Sequence, residues 1–348
     1  MPEVRRAERR AVGPGRVNLI GDHTDYNQGL ALPMAIGLGV TVRFTPSPDG
    51  RVTVTSTAFG PGPELPVDLP AERAAVERIE PAWARLTGAM IAVSRPDSGG
   101  AVQIDASLPI GAGLSSSAAL AVALAEVFGV GGDPGAVAAL CQRAEHLSGI
   151  PVGALDPLIC AGGRRGHALL IDFSTMTTRL IPMPEEAEVV VVDSGQRRTL
   201  RTSGYAARRA ECEAAAAVIG PLGRADGTDL ARLTDPVLRG RARHVVTECR
   251  RVRGYAEAMA DGDLARAGAL MTESHRSLSG DFAVSTPVVD SLVEDLASRR
   301  GVFGARMTGA GFGGCVVALC RPGAVDPAVL PTAAWRVRPA DGTVARRG

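Results

Sequence analysis

Lysine is absent from this chain, and its absence excludes one common kind of phosphate site. The chain has 38 arginines and no lysine, so a Walker-type Gly-Lys-Ser/Thr motif cannot occur. Phosphate chemistry must therefore rely on backbone amides, helix N-termini, hydroxyl groups or arginine. The formal net charge of +1 gives no electrostatic reason to expect a nucleic acid or an anionic membrane as the main partner.

Long apolar runs and paired cysteines are missing as well. No uninterrupted apolar segment approaches the roughly 20 residues needed to span a bilayer, and the first ten residues, MPEVRRAERR, lack the apolar core of a secretory signal. The six cysteines form no CxxC pair and no metal-ligand spacing, so we interpret them as buried thiols in a reducing compartment. We therefore expect a cytoplasmic protein, and 348 residues are enough for two or three domains.

Strand-like and helix-like segments alternate irregularly, which predicts an α+β fold rather than a regular βαβ winding. Leu38–Phe44 and Arg51–Thr57 are predicted to be the two strands of a hairpin. Ala71–Leu86 has apolar positions at helical spacing, which predicts one helix. Phe59–Pro70 is rich in proline and glycine and is expected to be a surface excursion.

The stretch Gly15–Gly29, GRVNLIGDHTDYNQG, concentrates polar side chains around a turn. Val17–Ile20 can form a strand, whereas Gly21–Gly29 is too polar for a core. Carboxylates beside an arginine and an amide suit a ligand covered with hydroxyl groups, because each hydroxyl needs both a donor and an acceptor. The alternative is a strand end with an ordinary polar turn, but the density of these side chains favours a site for a small polar ligand.

The stretch Leu108–Leu120, LPIGAGLSSSAAL, predicts a phosphate-binding loop. Its glycines allow the backbone to fold closely around an anion, and its three serines open the predicted helix Ser117–Phe128. The free N–H groups and the positive dipole end of that helix form an anion site without lysine. A single serine would be an ordinary N-cap, whereas three after Gly-x-Gly favour phosphate.

The stretch Gly309–Gly314, GAGFGG, formally matches the dinucleotide fingerprint GxGxxG. The following segment, Cys315–Leu319, is β-prone, whereas the fingerprint requires a helix there. We therefore reject dinucleotide binding and expect a strand, a glycine turn and a second strand. Such a turn can support another loop by close backbone approach, or it can be a simple tight hairpin.

These three motifs, in this order and spacing, resemble those of the GHMP kinases, and the HTDYN element resembles the galactokinase branch. GHALLIDFST, SGYAARRAEC and MTESHRSLSGDFAVS between them are also similar to galactokinase segments. The resemblance implies transfer of the ATP γ-phosphoryl to the anomeric hydroxyl of galactose, with ATP and Mg²⁺ as cofactors. It also implies partners that are small molecules, ATP and a sugar, and we expect a monomer.

The resemblance further implies a GHMP fold, with a ribosomal-protein-S5-domain-2-like α/β domain followed by a ferredoxin-like domain. A Pro/Glu-rich stretch, Pro182–Glu188, separates two apolar strands and suggests a domain change there. We accordingly expect an N-terminal ATP-binding domain over 1–185, which also carries the sugar-binding motif, and a C-terminal kinase domain over 186–348.

The resemblance also implies roles for individual residues. Asp156 matches the catalytic aspartate, and Arg16 matches the arginine beside it. Glu145 and Ser116 match the Mg²⁺ ligands. The predicted sugar contacts are Asp22, His23, Asp25 and Tyr205, and the predicted phosphate contacts are Gly111, Gly113, Leu114, Ser115, Ser116 and Ser117.

Two departures from the family pattern leave alternatives open. Asp22 stands where the family usually has glutamate, so its carboxylate reaches less far toward the sugar C6 hydroxyl; a bridging water or a different sugar would fit. Asp156 lies in GALDP rather than GIMDQ, and an Asp-Pro pair also suits a helix start. A kinase for another sugar and a non-catalytic sugar and ATP sensor are therefore the alternatives, although the intact Ser115–Ser117 run with Arg16 disfavours the sensor.

Overall fold

In the computed structural model, which describes residues 7–109, 111–150, 152–196 and 203–347, two β-sheets are covered by helices. The strands are β1 (Arg9–Ile20), β2 (Leu30–Ser47), β3 (Arg51–Ser56), β4 (Gly60–Pro66), β5 (Gly99–Ala106), β6 (His167–Asp172), β7 (Thr177–Pro182), β8 (Glu188–Asp193), β9 (Val302–Thr308), β10 (Cys315–Cys320), β11 (Ala334–Val337) and β12 (Val344–Arg347). The helices are α1 (Arg73–Glu77), α2 (Arg85–Ser94), α3 (Ser116–Val127), α4 (Pro134–Leu147), α5 (Leu155–Gly162), α6 (Ser203–Ile219), α7 (Pro236–Asp261), α8 (Leu264–Gly280) and α9 (Pro287–Ser298).

The larger sheet has the strand order β12-β1-β2-β5-β3-β4, and β6 and β7 continue it from β2. The predicted hairpin of β2 and β3 is wrong, because β5 lies between them and pairs with β3 in parallel. Gly99 and Gly100 at the start of β5 permit this insertion, since a Cβ on either would collide with the backbone of Arg51 or Thr45.

Two other predictions in this part of the chain are also wrong. The expected helix over Ala71–Leu86 is divided into α1, a short 3-10 turn and the start of α2, because Pro81 has no N–H to donate and restricts the residue before it. The expected excursion Phe59–Pro70 contains β4. Its prolines are tolerated because β4 is an edge strand.

The smaller sheet is antiparallel, with the strand order β11-β8-β10-β9. Helices α6 to α9 lie between β8 and β9 in the chain, which confirms the predicted α+β class and ferredoxin-like sheet. The change from one sheet to the other falls between Pro182 and Glu188, while β12 returns to the larger sheet and pairs with β1. The domain division near residue 185 stays a prediction.

The two sheets meet where β1 approaches β9. The Asn18 N–H donates to the Thr308 hydroxyl over 3.2 Å, and that hydroxyl donates back to the Asn18 carbonyl over 3.0 Å. The first motif also contacts the second, because the Arg16 N–H donates to the Leu114 carbonyl over 3.1 Å, and the third motif begins at Gly309, directly after Thr308. Among the described residues, no helix has both the length and the apolar character needed to cross a membrane.

Candidate active site

Arg16 and Asp156 form a bidentate ion pair at the centre of the site. Arg16 Nε lies 2.6 Å from Asp156 Oδ1, and Arg16 Nη2 lies 2.7 Å from Oδ2. The third donor of Arg16, Nη1, binds the Gly113 carbonyl at 2.8 Å. Burial alone would lower the pKa of Arg16, but Asp156 raises it. The guanidinium therefore stays charged and links the aspartate to the predicted phosphate loop.

Asp156 does not cap the helix on which it lies. Helix α5 has Ala154 at its N-cap position, and Asp156 occupies the first turn. Its carboxylate accepts hydrogen bonds from Arg16 and from the Ser115 hydroxyl. The Asp156 side chain is 24% exposed, against 9% for Arg16, so a substrate can reach the carboxylate while the arginine holds it from behind.

The predicted phosphate loop leads into the N-terminus of α3 as expected. Gly111 and Gly113 adopt positive φ angles of 81° and 80°, which glycine adopts at little cost. Ser115 stands at the N-cap position, but its hydroxyl binds Asp156 and no side chain of the described residues caps α3. The first N–H groups of α3 are therefore free to bind an anion, and Ser116 and Ser117 occupy its first turn.

Glu145 on α4 is fully buried beneath this helix start. Within the part of the chain that the structure describes, neither of its carboxylate oxygens has a hydrogen-bond partner. Burial raises the pKa of Glu145 to about 8, and the nearby Ser117 hydroxyl opposes this shift. Such an unpartnered buried carboxylate is suited to a cation.

A magnesium ion fits these residues better than a metal held by protein alone. In the described ranges, no group of three or more His, Cys, Asp or Glu residues could hold a metal ion. Mg²⁺ is usually bound by one or two protein oxygens together with water and substrate phosphates. Glu145 would supply the carboxylate, and Ser116 or Ser117 the hydroxyl; Ser117 is the serine whose hydroxyl influences Glu145.

His23, Asp25 and Tyr205, three of the predicted sugar contacts, come together near Asp156. Asp25 begins a short 3-10 turn, and burial followed by the charge of Asp156 raises its pKa to about 6. Burial, followed by the charge of the nearby Asp25, raises the pKa of Tyr205 on α6 well above its ordinary value. The ring centres of His23 and Tyr205 are 5.9 Å apart. Polar side chains of three chain segments, the first motif, α5 and α6, therefore lie close together.

Asp22 has a different environment from the other predicted sugar contacts. Its Oδ2 accepts from Arg306 Nη2 at 2.5 Å, and its Oδ1 accepts from the Gly309 N–H at 3.0 Å. Asp22 is 7% exposed in its side chain and Arg306 is fully buried. Both carboxylate oxygens thus have protein partners, and the sugar contact of Asp22 stays a prediction.

The glycine loop of the third motif supports the other two motifs. Its Gly309 N–H binds Asp22, and the Cys315 thiol donates to the Ala112 carbonyl over 3.0 Å. Strand β10 follows this loop directly, which confirms that the glycines do not open a dinucleotide-binding helix. The third motif and the strand after it therefore contact both the first and the second motif, as the predicted supporting role requires.

Sequence reasoning missed three buried residues that contact the predicted sugar-binding segment, Gly21–Gly29. They are His244 and Glu248 on α7 and Arg306 on β9. One signal for Arg306 was present, since an arginine stands inside the otherwise apolar strand segment VFGARMT. His244 and Glu248 are four residues apart and therefore share one helix face. The many arginines of α7 make the segment appear solvent-exposed in the sequence, so the buried face was not recognised.

Comparison with family models covers each of the three motifs. Residues 75–164 match the GHMP kinases N-terminal domain, and residues 255–330 match the GHMP kinases C-terminal model. Residues 4–46, which contain the first motif, match the galactokinase galactose-binding signature. A mevalonate kinase structure, with a TM-score of 0.64 at 19% identity, shares the fold.

Comparison with individual proteins gives a narrower result. The galactokinase of Homo sapiens is 40% identical, over 94% of this chain and 90% of its own. The galactokinase of Chloroflexus aggregans is also 40% identical, over 91% of this chain and 85% of its own. The crystal structure of Lactococcus lactis galactokinase complexed with galactose aligns with a TM-score of 0.88 at 29% identity, covering 97% of this chain and 95% of that one. This chain therefore belongs to the galactokinase family of the GHMP kinases.

Proposed function

We propose that the protein transfers the γ-phosphoryl group of ATP to the anomeric hydroxyl of galactose, which gives α-galactose 1-phosphate and ADP. The observation that carries this proposal is the network in which Arg16 binds Asp156 and the Gly113 carbonyl while Ser115 also binds Asp156. It joins the sugar-binding side to the phosphate loop through the group that would accept the proton.

Asp156 acts as the general base in this reaction. The anomeric O–H bond breaks as its oxygen forms the new bond to the γ-phosphorus, and the bond from that phosphorus to the bridging oxygen of ADP breaks. The proton passes to the Asp156 carboxylate, which the two hydrogen bonds from Arg16 orient. Arg16 also adds positive charge beside the transferring phosphoryl group.

ATP and magnesium bind at the start of α3. The N–H groups of the loop from Gly111 to Ser117 bind the phosphates. Glu145 and the hydroxyl of Ser116 or Ser117 would hold the ion. When bound, Mg²⁺ neutralises phosphate charge that accumulates during transfer.

Recognition of the sugar depends on His23, Asp25 and Tyr205. A buried carboxylate or ring polar group discriminates strongly between hydroxyl configurations, because the wrong epimer leaves it without a partner. Asp25 lies near Asp156, which supports this role for its carboxylate. Asp22 belongs to the same chain segment and is paired with Arg306.

The experiment measures ADP release from purified protein with Mg-ATP and a panel of galactose, glucose, mannose, N-acetylgalactosamine, arabinose and galacturonate. We expect strong turnover with galactose and near-background turnover with glucose. Preferred turnover of another sugar would identify a kinase with altered specificity and would assign the difference to Asp22. Binding of sugar and ATP without ADP release would instead identify a sensor.

A further inference from the structure

Two buried side chains of α7 bind the backbone of the sugar-binding segment from behind. The Gly21 N–H donates to Glu248 Oε1 over 3.0 Å, and the Asp22 carbonyl lies 3.2 Å from His244 Nε2. A carbonyl can only accept, so Nε2 is assigned as the protonated nitrogen of His244. Both side chains are fully buried, and together they bind the first N–H and the last carbonyl of the Gly21–Asp22 dipeptide.

Helix α8 fixes these two side chains in turn. The Ser274 hydroxyl donates to Glu248 Oε1 over 2.5 Å, and the Ser277 hydroxyl lies 3.0 Å from His244 Nδ1. On the same helix as Glu248, Arg251 Nε binds Oε2 at 2.7 Å. Neighbouring side chains therefore hold both His244 and Glu248 in their rotamers.

The charge of Glu248 persists despite its burial. Burial alone would raise its pKa, but His244, Arg251 and Arg306, with the Ser274 hydroxyl, lower it to about 2. An apolar side chain would fill the same space without the desolvation penalty of a buried ion. The carboxylate is needed as an acceptor for Gly21, which argues that this contact has a purpose beyond packing.

The segment itself needs such support. Gly21 and His23 both adopt positive φ angles, of 95° and 64°, and for histidine this conformation is sparsely populated. Residues in such conformations persist only where surrounding contacts over-determine them. Glu248 binds the N–H of the peptide that enters Gly21, and His244 binds the carbonyl of the peptide that enters His23, so each contact lies directly before a positive-φ residue.

We propose that His244 and Glu248 are positioning residues of the sugar site, which hold the Gly21–Asp22 backbone so that His23 and Asp25 meet the sugar in binding geometry. This inference rests on the proposed function. Among the described residues, no hydrogen bond or ion pair joins His244 or Glu248 to the start of α3, so their loss weakens sugar binding and leaves nucleotide binding intact.

The test compares His244→Leu with His244→Gln in the full chain. Leucine removes the donor to Asp22, whereas the glutamine amide N–H can replace it. Galactose affinity and the affinity for a non-hydrolysable ATP analogue with magnesium are both measured by calorimetry, alongside the Tm. We expect about a tenfold loss of galactose affinity in the leucine variant, substantial recovery in the glutamine variant, and nucleotide affinity within about twofold of the unmodified protein.

Two further variants make the result decisive. Glu257→Gln is the matched control, because Glu257 lies on α7 but forms only an exposed ion pair with Arg266, and it should bind galactose normally. Ser274→Ala removes one hydrogen bond to Glu248 and should weaken galactose binding in the same direction as His244→Leu, by about threefold. If the leucine variant does not fold, Ser274→Ala decides the question.

Galactose affinity unchanged in the folded leucine or Ser274→Ala variants would overturn the inference, as would a parallel loss of galactose and nucleotide affinity. Failure of the proposed function is a separate result, since it appears in the unmodified protein. If that protein prefers another sugar of the panel, the same variant-to-unmodified ratios are measured with that sugar.

Discussion

Asp156 shows how much of the proposed reaction depends on one carboxylate and its donors. Three side-chain donor groups, two from Arg16 and one from Ser115, hold it in the first turn of α5. This arrangement leaves part of the Asp156 side chain exposed. A residue required only to start a helix would not need an arginine delivered from a distant strand.

Substituting Asp156 by asparagine tests its role as the base. Since proton acceptance contributes about 10²–10⁴-fold to a rate, Asp156→Asn should lower kcat by two to four decades while galactose binding remains measurable. ADP release and galactose calorimetry measure the two quantities. Asp295→Asn, at an exposed ion pair with Arg299, is the control and should leave both unchanged. Near-normal turnover in Asp156→Asn would show that another group takes the proton.

Asp25 predicts a pH dependence of sugar use. Burial and Asp156 raise its pKa to about 6, so the carboxylate is protonated below that pH and loses acceptor capacity for sugar hydroxyls. The kcat/KM for galactose should therefore fall as pH decreases through about 6, because this parameter reports ionisations of the free enzyme.

An Asp25→Asn variant removes the proposed titrating carboxyl, so its effect on the pH profile of kcat/KM tests the assignment. Asp25→Asn should lower kcat/KM and also abolish the inflection near pH 6, which a series of initial rates at low galactose concentration would record. An unchanged inflection in Asp25→Asn would assign it to a different group. A basal rate at saturating galactose measured in parallel separates effects on binding from effects on the chemical step.

At the scale of elements, we propose that the start of α3 and the buried face of α4 form one cation site. The raised pKa of Glu145, about 8, means that the carboxyl is largely protonated at neutral pH. Magnesium needs the carboxylate, so its binding should release a proton at pH 7 and progressively less as pH rises above 8. Calorimetry of Mg-ATP binding in two buffers of different ionisation enthalpy measures this release.

Glu145→Gln should abolish that proton release and raise the magnesium concentration needed for half-maximal turnover. Glu126→Gln, at the other end of α3, is a control that keeps the helix and changes the same charge. Equal proton release in Glu145→Gln and the unmodified protein would exclude Glu145 as the titrating ligand.

Elements that bear the motifs are the ones that the sequence predicts well. The strand before the first motif, the helix after the serines and the strands around the glycine loop all form as expected, because their apolar spacing and their glycines act locally. The pairing of β2 with β5 rather than β3 could not be read locally, since β5 lies far along the chain. A single proline, Pro81, was enough to divide a segment with helical spacing.

At the scale of the whole molecule, the site depends on pairs of residues that are distant in sequence. Arg16 with Asp156, and Asp22 with Arg306, join different elements, and no local pattern predicts such a pair. Resemblance to a family supplied the first pair, because its motifs are known together. The isolated arginine of the β9 segment did not identify Asp22 as its partner, so the sugar was the only partner that the sequence suggested for Asp22.

The pair of Asp22 with Arg306 also ties the sugar-binding segment to the smaller sheet. Arg306 is fully buried on β9, and its Nη2 lies 2.5 Å from Asp22 Oδ2 and 3.9 Å from Glu248 Oε1. Removal of one member of a buried pair leaves an uncompensated charge and costs about 3–5 kcal/mol. Replacement of both members by uncharged groups of similar volume costs much less.

A double-mutant cycle measures this connection. Asp22→Asn and Arg306→Met should each lower the free energy of unfolding in urea by about 3 kcal/mol, and the double variant by less than the sum of the two. The exposed pair of Arg299 with Asp295 provides the comparison cycle, with an expected coupling below about 0.5 kcal/mol. Strictly additive losses at Asp22 and Arg306 would mean that the two charges do not stabilise each other. The attachment of the sugar-binding segment to the smaller sheet would then depend on the Gly309 N–H and on α7.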